Sequence, residues 1–278
     1  MIAYLNGEYL PLDQCRVSPL DRGFLFGDGI YEVIPFYHGK AIGLDEHLIR
    51  LQGSLDAIEI KSPLSNAEWK AIFTQLLSEQ TAPAIAIYLQ ITRGAGDKRT
   101  HFFPDPAVVK PTVFAYATVF NAEEYNNGLA AITLEDIRWR DCYIKSLNLL
   151  PNCLAREVAT RHGAQEALLY RDNIVTEGSS SNVFIVKNQC VITPPTSVNM
   201  LSGVTRSLVL RILTEQKIPY VETALSLETL KDADEIWISS SIREVAPVVK
   251  LDDKIIGDGT PGAITQQIMQ QYKLKTRS

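Results

Sequence analysis

Tyr31-Glu32-Val33-Ile34-Pro35-Phe36-Tyr37 is entered through Gly27-Asp28-Gly29 and left through His38-Gly39-Lys40, and it reads as a β-strand between two turns. Pro35 has no N–H for a ladder, so this strand is expected at an edge or with a bulge. Just beyond it the apolar spacing changes to threes and fours. Asp45 is placed to cap a helix carrying Leu48, Leu51, Leu55 and Ile58. Ser65-Asn66-Ala67-Glu68 is a capping box that opens a second helix with Trp69, Ile72, Phe73 and Leu76 facing inward. Strands are predicted over Ala84 to Arg93, Thr112 to Phe120 and Leu129 to Leu134. Ser146 to His162 reads as a helix with Leu150, Leu154 and Val158 on one stripe, Gly163 as its stop and Pro151 in its first turn, so that the helix proper starts near Asn148. Further strands follow at Ala167–Tyr170, Ile174–Val175, Val183–Val186 and Ile236–Ile238. Helices carry Leu208, Val209, Ile212 and Leu213, and then Ile264, Ile268 and Tyr272. The alternation defines a mixed α/β (α+β) chain. The passage from the 93–111 loop into the next strand sets two expected lobes: a smaller one over 1–120 and a larger one over 121–278.

Composition narrows the function. The chain has 278 residues, 46% of them apolar, with 27 Lys+Arg against 32 Asp+Glu and a net charge of −5. That suffices for a large core and gives no electrostatic reason to bind nucleic acid. No apolar run approaches the ~18 residues of a membrane span. The start, Met1-Ile2-Ala3-Tyr4-Leu5-Asn6-Gly7-Glu8, lacks the basic cluster and apolar region of a signal peptide, so a cytoplasmic protein is expected. Cys15, Cys142, Cys153 and Cys190 form no C-x-x-C pair and no zinc-like spacing, so they are expected to be reduced and no metal site is expected. Cys142 lies three residues before Lys145 and is a candidate pocket lining without chemistry of its own.

Four polar stretches sit at the ends of elements. Ser202-Gly203-Val204-Thr205 opens a helix, where N–H groups and the helix dipole attract an anion, or where an ordinary cap suffices. Thr176-Glu177-Gly178-Ser179-Ser180-Ser181-Asn182 follows a strand and is either a ligand-facing run or a solvated turn. Asp141-Cys142-Tyr143-Ile144-Lys145-Ser146-Leu147-Asn148 holds a lysine among apolar and aromatic neighbours, which is either a desolvated, nucleophilic amine or an ordinary surface lysine. Arg99-Thr100-His101 lies on a long loop, with two possible cations spaced to grip one carboxylate, or is a solvated loop with a stray histidine.

Together these stretches resemble one family. Asp21 to Val33, Glu46-His47-Leu48-Ile49-Arg50-Leu51, Ile144 to Leu150, Thr176 to Phe184 and Leu201 to Arg206 are similar, in order and separation, to blocks of the class IV, fold-type IV pyridoxal-phosphate transaminases. The D-amino-acid transaminase group is the most similar, and the likeness covers nearly the whole chain. The resemblance implies that pyridoxal 5'-phosphate is the cofactor and that Lys145 forms a Schiff base with it and carries the proton at the substrate Cα. It implies that Glu177 pairs with the pyridine nitrogen, that Arg50, Gly203, Val204 and Thr205 hold the phosphate, that Ser180, Ser181 and Ser240 add minor contacts, and that Leu201 packs on the ring face. Tyr31, Arg99 and His101 would trap the substrate α-carboxylate. Arg99 and His101 would reach over from a partner subunit, so a homodimer is implied.

The activity so implied moves the amino group of a D-amino acid, of the D-alanine or D-glutamate class, to a 2-oxo acid such as 2-oxoglutarate in a ping-pong cycle. The loop before Arg99 is one residue longer than the family pattern, and Lys98 adds a cation there. Alternatives are a branched-chain L-amino-acid transaminase, an (R)-amine transaminase, an aminodeoxychorismate-type lyase and an inactive cofactor-binding homologue. The presence of both Lys145 and Glu177 weighs against the last.

Overall fold

A computed structural model describes residues 1–121 and 123–277; Ala122 and Ser278, both within the expected 121–278 lobe, lie outside the described residues. The chain forms two units, Met1–Phe120 with Ile144–Asn148, and Asn121–Tyr143 with Leu149–Ser278.

The first unit opens with β1 (Ile2–Leu5) and β2 (Glu8–Pro11), paired across an Asn6-Gly7 turn and absent from the strands expected above. Then come α1 (Arg22–Phe26), β3 (Gly29–Tyr37), β4 (Lys40–Ala41), α2 (Leu44–Ala57), α3 (Asn66–Ser78), β5 (Ala84–Thr92) and β6 (Thr112–Val119). The strands make a six-stranded sheet in the order β2-β1-β6-β5-β3-β4, every pairing antiparallel. Leu48, Leu51 and Leu55 of α2 and Trp69, Phe73 and Leu76 of α3 bury themselves in one cluster with Ile34, Ile87 and Leu89 of the sheet. Each such side chain contributes roughly 1.5–3 kcal/mol of transfer free energy. Ser65 makes the expected capping box with Glu68.

One local expectation needs correction here, and a second is met in one of its two forms. The cap of α2 is Gly43, and Asp45 sits inside the first turn, where its charge still favours the positive end of the helix. Pro35 pairs in unbroken register with Ala86, so there is no bulge; on its other side β4 covers only Phe36 and Tyr37, so Pro35 takes the edge position, the other form of the expectation.

The second unit runs β7 (Leu129–Glu135), α4 (Leu150–Arg161), β8 (Glu166–Arg171), β9 (Ile174–Gly178), β10 (Asn182–Lys187), β11 (Cys190–Thr193), α5 (Val204–Glu215), β12 (Tyr220–Glu222), α6 (Leu227–Lys231), β13 (Glu235–Ser240), β14 (Glu244–Leu251), β15 (Lys254–Ile255) and α7 (Ala263–Thr276). Its sheet has the order β12-β11-β10-β13-β14-β7-β8-β9, with β15 beside β14. Pairing is mixed, and β7 runs parallel to both β8 and β14. Val209, Ile212 and Leu213 of α5 and Ile268 and Tyr272 of α7 cover one face, packed with Phe184 and Trp237, whose rings stack at 5.2 Å.

Here α4 departs from the expected pattern. It begins at Leu150 with Pro151 in its first turn, yet the Leu150/Leu154 stripe faces outward, at 70% and 50% exposure. The helix packs through Ala155 and Ala159 against Ala167 and Leu169 instead. Small side chains let a helix lie close to a sheet, so the alanine face wins the contact.

Candidate active site

In the first unit the Lys145 segment is laid onto the start of β3. Tyr31 N donates to Lys145 O (3.0 Å), and Leu147 N donates to Gly29 O (3.0 Å). Ile30 and Ser146 form an isolated bridge, and Lys145 N donates to Ser54 Oγ at 3.2 Å. Position 29 has to be glycine for this. A Cβ there would stand 2.5 Å from Ile91 O and 2.9 Å from Leu147 Cδ1. The outcome places Lys145 Nζ 4.2 Å from the centre of the Tyr31 ring. A cation over an aromatic face gains about 0.5–2 kcal/mol, depending on its solvation. Among the described residues no side chain or carbonyl accepts a hydrogen bond from Nζ, and no carboxylate pairs with it. Tyr31 in turn stacks on Tyr88 at 6.0 Å, and burial pushes the Tyr88 phenol well above its ordinary value.

Arg50, on α2, points its Nε and Nη2 at the two oxygens of Glu32, each at 2.8 Å. Glu32 is completely buried, and its Oε2 also lies 2.8 Å from His47 Nδ1. Burial alone would raise the Glu32 pKa, but the charge and hydrogen bonds of Arg50, with His47, outweigh it and hold the carboxyl far below its ordinary 4.5. Burial holds the His47 pKa below its ordinary 6.5 despite Glu32, helped by the Arg50 and Lys145 charges. Sequence reasoning misses this triad. Its members are 15 and 18 residues apart, and only the pairing of strand with helix unites them.

Arg99 and His101 are both exposed, and both lean on one ring. The Arg99 guanidinium is 4.8 Å, and the His101 imidazole 5.5 Å, from the Phe26 centroid.

In the second unit the Thr176–Asn182 run is no solvated turn. Thr176, Glu177 and Gly178 finish β9, and Thr176, Glu177, Ser179, Ser181 and Asn182 are buried, whereas Ser180 is exposed. Glu177 accepts from Arg138 Nη1, from Asn182 Nδ2 at 3.3 Å and from Leu201 N at 3.1 Å. Arg138 is itself forked on Asp136 by Nε and Nη2, both at 2.9 Å. The Arg138 backbone N–H (3.0 Å) and Thr176 Oγ1 (2.8 Å) also donate to Asp136. Burial would raise the Asp136 pKa, but Arg138 and then Thr176 hold it below the carboxylate range; Arg138 is driven the other way by the same pairing, against burial, and Glu177 adds to its rise. Ser181 Oγ donates to the buried Glu166 at 3.0 Å, and Ser179 does so more closely. Ser240 Oγ accepts from Arg243 N. Arg138 and Asp136 escape sequence reasoning because Arg138 gains meaning only from a carboxylate 39 residues away.

At the N-terminus of α5 the cap is Gly203, and among the described residues no side chain caps the N–H groups of Val204 and Thr205, both buried. A Cβ on Gly203 would meet Asn182 Oδ1 at 2.1 Å. The close approach ties the α5 terminus to the residue that also holds Glu177 and, through Leu201 O at 2.8 Å, the segment before the helix. Uncapped N–H groups at a helix start suit a phosphate, and a buried carboxylate fixed by three donors suits a protonated ring nitrogen. The donor set of this unit therefore fits pyridoxal 5'-phosphate. Cys142 is buried and donates to Trp139 O (3.1 Å); burial pushes its thiol up to about 11, with Arg138 opposing, so it is an inert neighbour.

The fold and these residues define an aminotransferase of class IV. The family model described as amino-transferase class IV matches residues 29–251, and the chain belongs to that family. Among individual proteins, it is 42% identical over 272 residues to the D-alanine aminotransferase of Staphylococcus epidermidis (strain ATCC 12228), covering 97% of this chain and 96% of that protein. Among solved structures it is similar to the branched-chain amino acid aminotransferase of Escherichia coli, with a TM-score of 0.89, 25% identity and coverage of 99% and 94%. It is also similar to a second branched-chain amino acid aminotransferase, from T.th., complexed with N-(5'-phosphopyridoxyl)-L-glutamate, with a TM-score of 0.88, 25% identity and coverage of 98% and 92%. The fold is thus fold-type IV, and among the described residues no helix is long and apolar enough to cross a membrane.

Proposed function

We propose that this chain is a pyridoxal 5'-phosphate-dependent transaminase that moves the amino group of a D-amino acid, D-alanine first, to a 2-oxo acid such as 2-oxoglutarate. The observation that carries the reading is the pairing of chemistry in one sequence. An unpartnered lysine amine on an aromatic face and a buried, three-donor carboxylate stand in a chain 42% identical to a D-alanine aminotransferase.

When bound, the cofactor supplies an electron sink for the charge left on the substrate Cα. Lys145 would hold the cofactor through its amine, and the same amine would move a proton at the substrate Cα. Tyr31 keeps that amine over its ring without trapping it in an ion pair. Glu177 faces the ring nitrogen, and Arg138 keeps Glu177 in place. The N–H groups of Val204 and Thr205, with the Thr205 hydroxyl, bind the phosphate. Arg50 adds its charge, and its Nε/Nη2 edge is fixed by Glu32. Ser180, Ser181 and Ser240 line the same group, and Leu201 packs on the ring while its N–H steadies Glu177.

Tyr31, Arg99 and His101 bind the α-carboxylate, with Arg99 and His101 supplied by the second copy of a homodimer. The exposed apolar side chains Phe24, Phe102 and Phe103, at 77%, 83% and 56%, flank that loop and support a covering partner. The larger 121–278 lobe carries most of the cofactor contacts. Four free cysteines, one of them exposed, suit the reducing cytoplasm.

The test is a substrate panel with the purified holoenzyme. Pyruvate forms from D-alanine and 2-oxoglutarate and not from L-alanine. Consumption of L-leucine with D-alanine untouched overturns the reading in favour of a branched-chain transaminase.

A further inference from the structure

We propose that Arg22 is the positioning residue that sets the Arg99–His101 loop for substrate binding. The proposal rests on reading Arg99 and His101 as the carboxylate clamp. Neither of those side chains is buried, so their placement depends on what fixes the backbone beneath them.

Two neighbouring residues fix it at both ends. Asp21 caps α1, accepting from Gly23 N at 2.8 Å, and forms an isolated bridge with Ala95. Arg22 N donates to Gly94 O at 3.0 Å, so the base of the loop is tied to the start of α1. The Arg22 guanidinium ties the other end. Its Nη1 donates to Thr100 O (2.6 Å) and Phe102 O (3.2 Å), and its Nη2 reaches His101 O at 3.5 Å. Three successive carbonyls thus converge on one side chain, which is only 8% exposed.

Charge explains why the carbonyls are needed. Asp28 Oδ2 accepts from Arg22 Nε at 2.6 Å and from Arg93 Nε at 2.8 Å. One carboxylate therefore serves two buried guanidiniums. The excess positive charge has to be met by other acceptors, because a buried cation without them is strongly destabilising. The two arginines meet that demand in different places. Arg93 donates to Ile58 O and Glu59 O beside the end of α2, at 2.6 and 3.2 Å. Arg22 uses the clamp loop. The electrostatic demand of the Asp28 cluster is thereby converted into a fixed path for residues 100–102. Phe26 finishes the arrangement, with Arg22 and Arg99 each 4.8 Å from its centroid.

Arg22→Lys keeps the charge near Asp28 but cannot span three carbonyls with one ammonium. In the holoenzyme the KM for D-alanine and for 2-oxoglutarate is expected to rise about tenfold, with kcat within about threefold of wild type. Trypsin is expected to cut after Lys98 or Arg99 at least several-fold faster in the variant. If Arg22→Lys does not fold, Arg22→Gln, which can still donate to one carbonyl, is read by the same two measurements. An unchanged KM in a folded variant overturns the proposal, whether or not cleavage accelerates. Arg99→Ala separates the two readings. If it too leaves KM unchanged, the clamp itself is wrong. If it raises KM and Arg22→Lys does not, only the role of Arg22 is wrong.

Discussion

Lys145 and Glu177 are opposites in the way they are held. The amine of Lys145 rests on the Tyr31 ring with no hydrogen-bond acceptor among the described residues, whereas the Glu177 carboxylate is gripped by Arg138, Asn182 and Leu201. The difference suits the roles proposed for the two residues. A group that leaves the cofactor and moves a proton loses by every bond that ties it down. A group that keeps a ring nitrogen protonated gains from a fixed, ionised state. The backbone under Lys145 is nonetheless rigid, stitched to β3 at Gly29 and Tyr31, so freedom is confined to the side chain.

Substitutions that break this contrast are expected to act in a graded order. Lys145→Ala removes the mobile member, and turnover should fall by at least about 10³-fold with loss of the bound cofactor's visible absorption band, read by assay and spectrum. Glu177→Gln keeps the shape and removes the charge; kcat should fall by about 10²-fold while KM changes little. Arg138→Met removes the guanidinium that Asp136 and Glu177 share inside the fold and leaves Asp136 the longer pair with Arg171. Removing one member of such a buried cluster costs about 3–5 kcal/mol, so a calorimetric scan should show a fall in Tm of roughly 10 °C or more.

The Glu32 triad extends the contrast to pH. Folding depresses the Glu32 pKa below 4.5, so its stabilisation is complete above that value and is lost as pH falls toward the lower folded pKa. His47, depressed below 6.5, has the same sign and begins to cost stability as pH falls through 6.5. Urea titrations from pH 7 to pH 3 should show falling stability in wild type and a flatter acid limb in Glu32→Gln. The smallest effect is expected at Cys142, whose high thiol pKa and single bond to Trp139 O leave Cys142→Ala within about twofold of wild-type turnover.

The sequence made some of this legible and hid the rest for identifiable reasons. The capping box at Ser65 and the inward stripe of α3 depend on residues three or four apart, and both appear as expected. The Leu150/Leu154 stripe of α4 has the same period yet lies outward, because periodicity marks a face without saying which face the sheet will take. The serine run next to Glu177 is visible in the sequence, but its burial is not, since Glu166 and Arg138 reach it only through strand pairing. Arg22 stands within one of the family-like blocks. Its hold on residues 78 to 80 positions away belongs to the folded chain alone.

The most direct measurement of the contrast is borohydride reduction of the holoenzyme followed by peptide mass mapping. A phosphopyridoxyl label on Lys145 alone is the expected result. A label on another lysine, or a protein that takes none, contradicts the account.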